Sequence, residues 1–124
     1  RDCHPDNIIF NENQLSGFID FDLITVGPSL FDLCYCSTAI LMSEFGNDEK
    51  RNQWFDVLTG LIKGYTNQSP LSELEMRSIF PMLLAIQIIF IAYFAEQGQY
   101  DIASLNVEGI LWIYRNSDLI EQTY

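Results

Sequence analysis

The apolar residues of this chain change their spacing once, at Gly27-Pro28, and that change limits what it can fold into. Before it, Ile8 to Phe10 and Leu15 to Ile19 are short β-prone runs separated by the polar stretch Asn11-Glu12-Asn13-Gln14, the pattern of a small hairpin. Asp20 to Pro28 has no helical period and reads as a loop. Beyond it, Trp54, Val57, Leu58, Leu61, Ile62 and Tyr65 form one apolar stripe at helical spacing. Ser29 is placed to cap a preceding helix that ends near Phe45, and Asp48 to cap the striped one. Ser72 and Glu75 form a capping-box pattern for a third helix. Pro81 should kink or break that helix, which is expected to be buried through Phe94 and to stop at Gly98. A last helix is expected from about Asn106 to Ile120, with Val107, Ile110, Leu111 and Tyr114 on one face. The fold class is therefore mainly α with a small β-hairpin (α+β). Residues 1–28 form the hairpin and its loops, and residues 29–124 a helical bundle.

Composition narrows the partners. Hydrophobic residues at 48% and aromatics at 14% exclude a disordered chain. Seventeen acidic against six basic residues give a formal charge of −11, a surface that should repel nucleic acid and anionic membrane. It could attract a cationic small substrate or metal ions, although a solvated acidic surface is the simpler explanation. Three cysteines are an odd number, which argues against an internal disulfide framework and for buried thiols in a reducing cytosol. A cytoplasmic location is expected, and no signal-peptide pattern is visible. Cys3, His4, Cys34 and Cys36 contain no CxxC pair, so a zinc site is disfavoured. The apolar run Met82 to Ala95 falls short of the ~20 residues a bilayer crossing needs, which favours a buried core helix.

The chemistry lies in the first 32 residues. In Asp2-Cys3-His4-Pro5-Asp6-Asn7 a carboxylate precedes an asparagine by five positions, and Asp20 follows within Ile19-Asp20-Phe21-Asp22. Phosphoryl transfer needs a carboxylate to orient or deprotonate the acceptor hydroxyl, and hard oxygen ligands to hold Mg²⁺ against nucleotide phosphates. A hairpin brings its two ends together, so Asn7 and Asp20 can face one metal cluster.

Asp2 to Asn7 is similar to the H-R-D-x-x-x-x-N catalytic loop of protein kinases, and more so to the H-G-D-x-H-P-x-N loop of aminoglycoside phosphotransferases, choline kinases and bacterial homoserine kinase relatives. The resemblance implies the helical C-terminal lobe of a protein kinase-like fold. It makes Asp2 the catalytic base, Asn7 and Asp20 the magnesium ligands, and Asp32 in Phe31-Asp32-Leu33 a structural support for the catalytic loop. His4 would either contact a nucleotide phosphate or pack and hydrogen-bond within the loop. Asp22 would face metal or solvent. Protein kinases proper are disfavoured, because only a short loop separates Asp20 from Asp32, Asp22 stands where they carry Gly, and no A-P-E appears. Arg1 also stands where the small-molecule kinases usually have Gly.

The implied activity is an ATP- and Mg²⁺-dependent small-molecule kinase acting on a hydroxyl of an aminoglycoside, choline, homoserine or similar compound. No Gly-rich phosphate loop and no strand Lys paired with a helix Glu is visible. The chain is therefore expected to be a fragment without its N-terminal nucleotide-binding lobe, inactive alone and prone to self-association through Ile8, Ile9, Phe10, Phe18 and Phe21. The rival reading is a non-catalytic, pseudokinase-like binding or regulatory module, against which the intact Asp2, Asn7 and Asp20 speak. A purely structural helical domain leaves the front motifs unexplained. Tyr93, Trp112 and Tyr114 could line a cation pocket, but such aromatics are more often core.

Overall fold

The computed structural model describes residues 2–23 and 25–124; Arg1, and Ile24 within the predicted loop, lie outside the described residues. A 3-10 turn, Pro5–Asn7, leads into strands β1 (Ile8–Asn11) and β2 (Gln14–Phe18). Helices α1 (Leu30–Ser43), α2 (Asp48–Gln68), α3 (Glu73–Glu96), α4 (Tyr100–Arg115) and α5 (Ser117–Glu121) follow. The architecture is mainly helical with one small antiparallel hairpin, as its sequence pattern indicates.

The hairpin turn is tighter than the four polar residues suggest. Asn11 and Gln14 pair within the strands, leaving Glu12 and Asn13 as a two-residue turn with φ of 49° and 71°. Positive φ at both positions is what a turn matching the right-handed twist of the strands requires, and Asn suits it. Ile9 pairs with Gly17 but Phe10 pairs with Leu15, so Ser16 is an extra residue that bends β2.

The bundle core is built from α1 residues Leu33, Cys34 and Leu41, the α2 stripe Trp54, Leu58 and Ile62, and Ile79, Leu83 and Ile86 of α3, closed by Ile113 and Ile120. Trp54 is fixed by more than burial: its Nε1 donates to the Ser37 carbonyl at 2.8 Å, and its ring meets Trp112 edge-on. Ser72 and Glu75 form the capping box expected of them. At the other end of α3, Gly98 takes φ of 71°, while its N–H reaches the Ala95 carbonyl and the Gln99 N–H reaches that of Phe94. Those two bonds satisfy carbonyls that the helix end would leave open.

Several local expectations are corrected. Ser29 precedes α1 without capping it; its hydroxyl donates to Glu75 Oε1 at 3.0 Å and ties the α1 start to that of α3. Asn47, not Asp48, caps α2, accepting from the Lys50 N–H at 3.1 Å. Pro81 neither breaks nor ends α3. Proline removes one helical bond, but Arg77, whose carbonyl loses it, is exposed to water, and buried Ile79 and Leu83 hold both sides of the site in the core. Nor is α3 buried through Phe94, since Ile88, Ile89 and Tyr93 are exposed. By length and composition this helix could cross a membrane, and 22% of its most apolar window is buried in the bundle.

The last predicted helix begins earlier and is interrupted. Asn116 turns its side-chain amide back onto the Trp112 carbonyl at 2.8 Å and separates α4 from α5. The buried face of α4 is Ala103, Asn106, Gly109 and Ile113, whereas Val107, Leu111 and Tyr114 are exposed. Close approach explains the choice. A Cβ on Gly109 would lie 2.6 Å from Met42 Sδ, so small residues, not the most apolar ones, face α1 and α3. Trp112 belongs to the core edge, whereas Tyr93 and Tyr114 are exposed. The cation over Trp112 comes from the chain itself, with the Arg51 guanidinium 5.9 Å from that ring and 5.1 Å from the Phe45 ring.

Candidate functional site

Asp2, Asn7, Asp20 and Asp32 line one cleft of about 220 Å³, together with Cys3, Phe18, Ile19 and Phe21. The hairpin closes it. The Ile19 N–H donates to the Asn7 carbonyl at 3.0 Å, so the residue before Asp20 is tied to the residue that starts the hairpin. A separation of thirteen positions is thereby reduced to one backbone hydrogen bond.

The loop before the hairpin is held by its own polar groups. Asn7 is buried, and its Nδ2 faces the Asp2 carbonyl at 3.0 Å, the Asp2 Oδ2 at 3.3 Å and His4 Nε2 at 3.2 Å. Accepting from Asn7 requires an unprotonated Nε2, which places the imidazole proton on Nδ1, 3.7 Å from Asp6 Oδ2. His4 is thus engaged inside the loop. The amide end that these bonds leave for the cleft is Asn7 Oδ1.

Asp2 is held from a second direction. The Tyr35 hydroxyl, on α1, donates to Asp2 Oδ1 at 2.9 Å. Burial, and then the bond to Asp2, push the Tyr35 phenol well above its usual range, so it stays a donor. Tyr35 escapes a motif search, although its position three residues after Asp32 places both on one face of a helix. Asp32 lies in the first turn of α1 and lines the cleft. Asp22 is exposed and is not among the residues that line it.

Two of the carboxylates sit on unusual backbone. Asp2 has φ of 78° and Asp20 of 58°, a left-handed conformation that costs non-glycine residues on the order of 1–3 kcal/mol. It aims both side chains from sharp bends, and the surrounding bonds must hold it.

The carboxylate and amide oxygens that line the cleft are hard donors of the kind Mg²⁺ takes, with Cys3 the one soft donor among the lining residues. Among the described residues no group of three or more His, Cys, Asp or Glu side chains is placed to hold a metal ion. Mg²⁺ normally takes one or two carboxylates and completes its shell with water and phosphate oxygens, so the open arrangement fits it. A larger cavity of about 440 Å³ lies between the hairpin and helices α1 and α2, but Ile8, Phe10, Leu15, Phe18, Leu33 and Leu61 make it largely apolar.

The model of the phosphotransferase enzyme family (APH) matches residues 1–65, the segment holding the loop, the hairpin, α1 and most of α2. The chain belongs to this family. Among curated relatives, the homoserine kinase of Brucella melitensis biotype 2 is 29% identical over 90 residues, covering 72% of this chain and 26% of that protein. The homoserine kinase of Gluconacetobacter diazotrophicus is 33% identical over 86 residues, 68% of this chain and 24% of its own length. That of Brucella ovis is 33% identical over 75 residues, with 60% and 21% covered. The chain thus spans about a quarter of the length of the curated relatives it matches. No solved structure matches.

Proposed function

We propose that this family member is the acceptor-side lobe of an ATP- and Mg²⁺-dependent kinase that phosphorylates a hydroxyl of a small metabolite. The carrying observation is the shared cleft of Asp2, Asn7 and Asp20, with Ile19 bonded to Asn7 across the hairpin base. The homoserine kinases among its relatives favour an amino alcohol of the homoserine type as acceptor.

In this reading Asp2 accepts the proton of the acceptor hydroxyl. Tyr35 at Oδ1 and Asn7 near Oδ2 fix its carboxylate, so the base is oriented before substrate arrives. Asn7 Oδ1 and an Asp20 carboxylate oxygen would hold Mg²⁺, which when bound neutralises charge on the phosphoryl oxygens. Asp32 steadies the loop from α1. His4 buttresses it from within, and a phosphate contact from its ring would have to compete with Asn7.

Nucleotide binding requires donors that cradle phosphates, and we propose that these come from an N-terminal lobe of a longer polypeptide. The relatives are roughly four times the matched length, and the hairpin offers that lobe Ile9, Phe10, Phe18 and Phe21, all exposed. The isolated chain would then bind Mg-ATP very weakly and tend to self-associate through the same side chains. The test is a kinase assay on the polypeptide carrying both lobes, with homoserine and other small alcohols as acceptors. Asp2→Asn should lower kcat by about 10²–10⁴-fold and leave nucleotide affinity nearly unchanged. Parental turnover in that variant would remove Asp2 from the mechanism.

A further inference from the structure

Only six basic residues stand against seventeen acidic ones, yet two of them, Arg51 and Arg115, line a single cavity of about 320 Å³. Phe45, Glu108, Leu111 and Trp112 complete its wall. Phe45 follows the C-terminal end of α1, whereas Asp32 and Tyr35 sit near its start. The 14 residues of that helix, about 20 Å in length, therefore separate this cavity from the Asp2 cleft. We propose that Arg51, Glu108, Leu111, Trp112 and Arg115 form a binding site for a zwitterionic α-amino acid with an apolar side chain. The site goes beyond phosphoryl transfer and holds whether or not Asp2 is a catalytic base.

The two guanidinium groups differ in what already holds them. Arg51 is pinned, because its Nη1 donates to the Phe45 carbonyl at 2.9 Å and its Nη2 to the Asp48 carboxylate. It also lies over the Phe45 and Trp112 rings, and each Nη keeps one hydrogen that those bonds do not use. Arg115 and Glu108 are exposed, and among the described residues neither has an ion-pair partner. They stand seven positions apart on α4, two turns and about 10 Å along its axis, with Leu111 and Trp112 between them. One cavity thus meets a fixed cation, a free cation and a free carboxylate above an apolar wall.

That arrangement selects its ligand by charge. A simple anion meets Glu108 and the field of a chain with a formal charge of −11, and a simple cation meets Arg115. A zwitterion has no net charge for that field to repel, and it satisfies both free groups. Its carboxylate accepts from Arg115 and from the hydrogens Arg51 has left, and its ammonium donates to Glu108. A charge-assisted hydrogen bond of about 2.8 Å at each end lets one small molecule bridge groups that do not pair directly. Its side chain rests on Leu111 and Trp112, and the cavity is within the range of about 300–1,000 Å³ typical of small-ligand sites.

The experiment titrates this chain with L-leucine and follows its amide and indole signals by nuclear magnetic resonance. Saturable shifts are expected at Arg51, Leu111, Trp112 and Arg115. The deaminated analogue 4-methylpentanoate and the decarboxylated analogue 3-methylbutylamine should each bind at least ~5-fold more weakly. Arg115→Met and Glu108→Gln, both at exposed positions, should weaken leucine by a similar factor. Lys63→Met removes an exposed charge of α2 that does not line the cavity, and should leave leucine binding unchanged. Shifts that do not saturate, a leucine affinity untouched by Arg115→Met, or equal binding of 4-methylpentanoate would overturn the proposal.

Discussion

The hairpin region and the helical bundle are stabilised in opposite ways. In the bundle, Trp54, Leu58, Ile79, Leu83 and Ile113 are each at most 1% exposed, and helices from distant parts of the sequence share them. In the front region Phe10 and Phe21 are 63% and 59% exposed, and Asp2, Glu12, Asn13 and Asp20 all carry positive φ. A two-stranded hairpin alone is marginal in water, so this one depends on polar ties such as Tyr35 to Asp2. The candidate chemistry sits where the fold is least self-sufficient, and the stability sits where no chemistry is evident. Residues that must meet a ligand cannot also be spent on packing, and strained backbone persists only beside a rigid support.

Substitutions of large side chains in the two regions should separate this contrast clearly. Trp54→Ala removes a fully buried ring together with its bond to the Ser37 carbonyl, and should cost about 3–5 kcal/mol in urea unfolding. A loss under about 1 kcal/mol would mean the bundle is not organised around it. Gln87, between α3 and α4, is fully buried with neither amide atom paired, so Gln87→Met should stabilise by about 1–3 kcal/mol. Destabilisation there would reveal a partner for that amide. Phe10→Ser, on the open face of the hairpin, should change unfolding free energy by less than about 0.5 kcal/mol. A cost like that of Trp54 would show that the hairpin carries part of the core.

The sequence made the bundle's second helix legible because Trp54, Leu58 and Ile62 are both apolar and correctly spaced. It misled at α4, where hydrophobicity singles out Leu111 and Tyr114 but shape selects Gly109 and Ala103. Close contact between helices is set by missing volume, which an apolar pattern does not record. At the front, Asp2, Asn7 and Asp20 were readable because their spacing belongs to a hairpin-framed motif, and they line one cleft. Tyr35 was not. Its contact with Asp2 depends on how α1 lies against the loop, a long-range relation that no local pattern encodes.

The central claim, that Asn7 and Asp20 hold one divalent metal beside the Asp2 base, can be tested on this chain alone with Mn²⁺ as a paramagnetic stand-in for Mg²⁺. Both ions prefer oxygen ligands, and Mn²⁺ broadens the nuclear magnetic resonance signals of amides close to it. Sub-stoichiometric Mn²⁺ should first broaden the amides of Asn7, Ile19, Asp20 and Phe21, and Asp20→Asn should abolish that effect. Broadening that instead follows the acidic surface of α2 and α4, or that survives Asp20→Asn unchanged, would contradict the site.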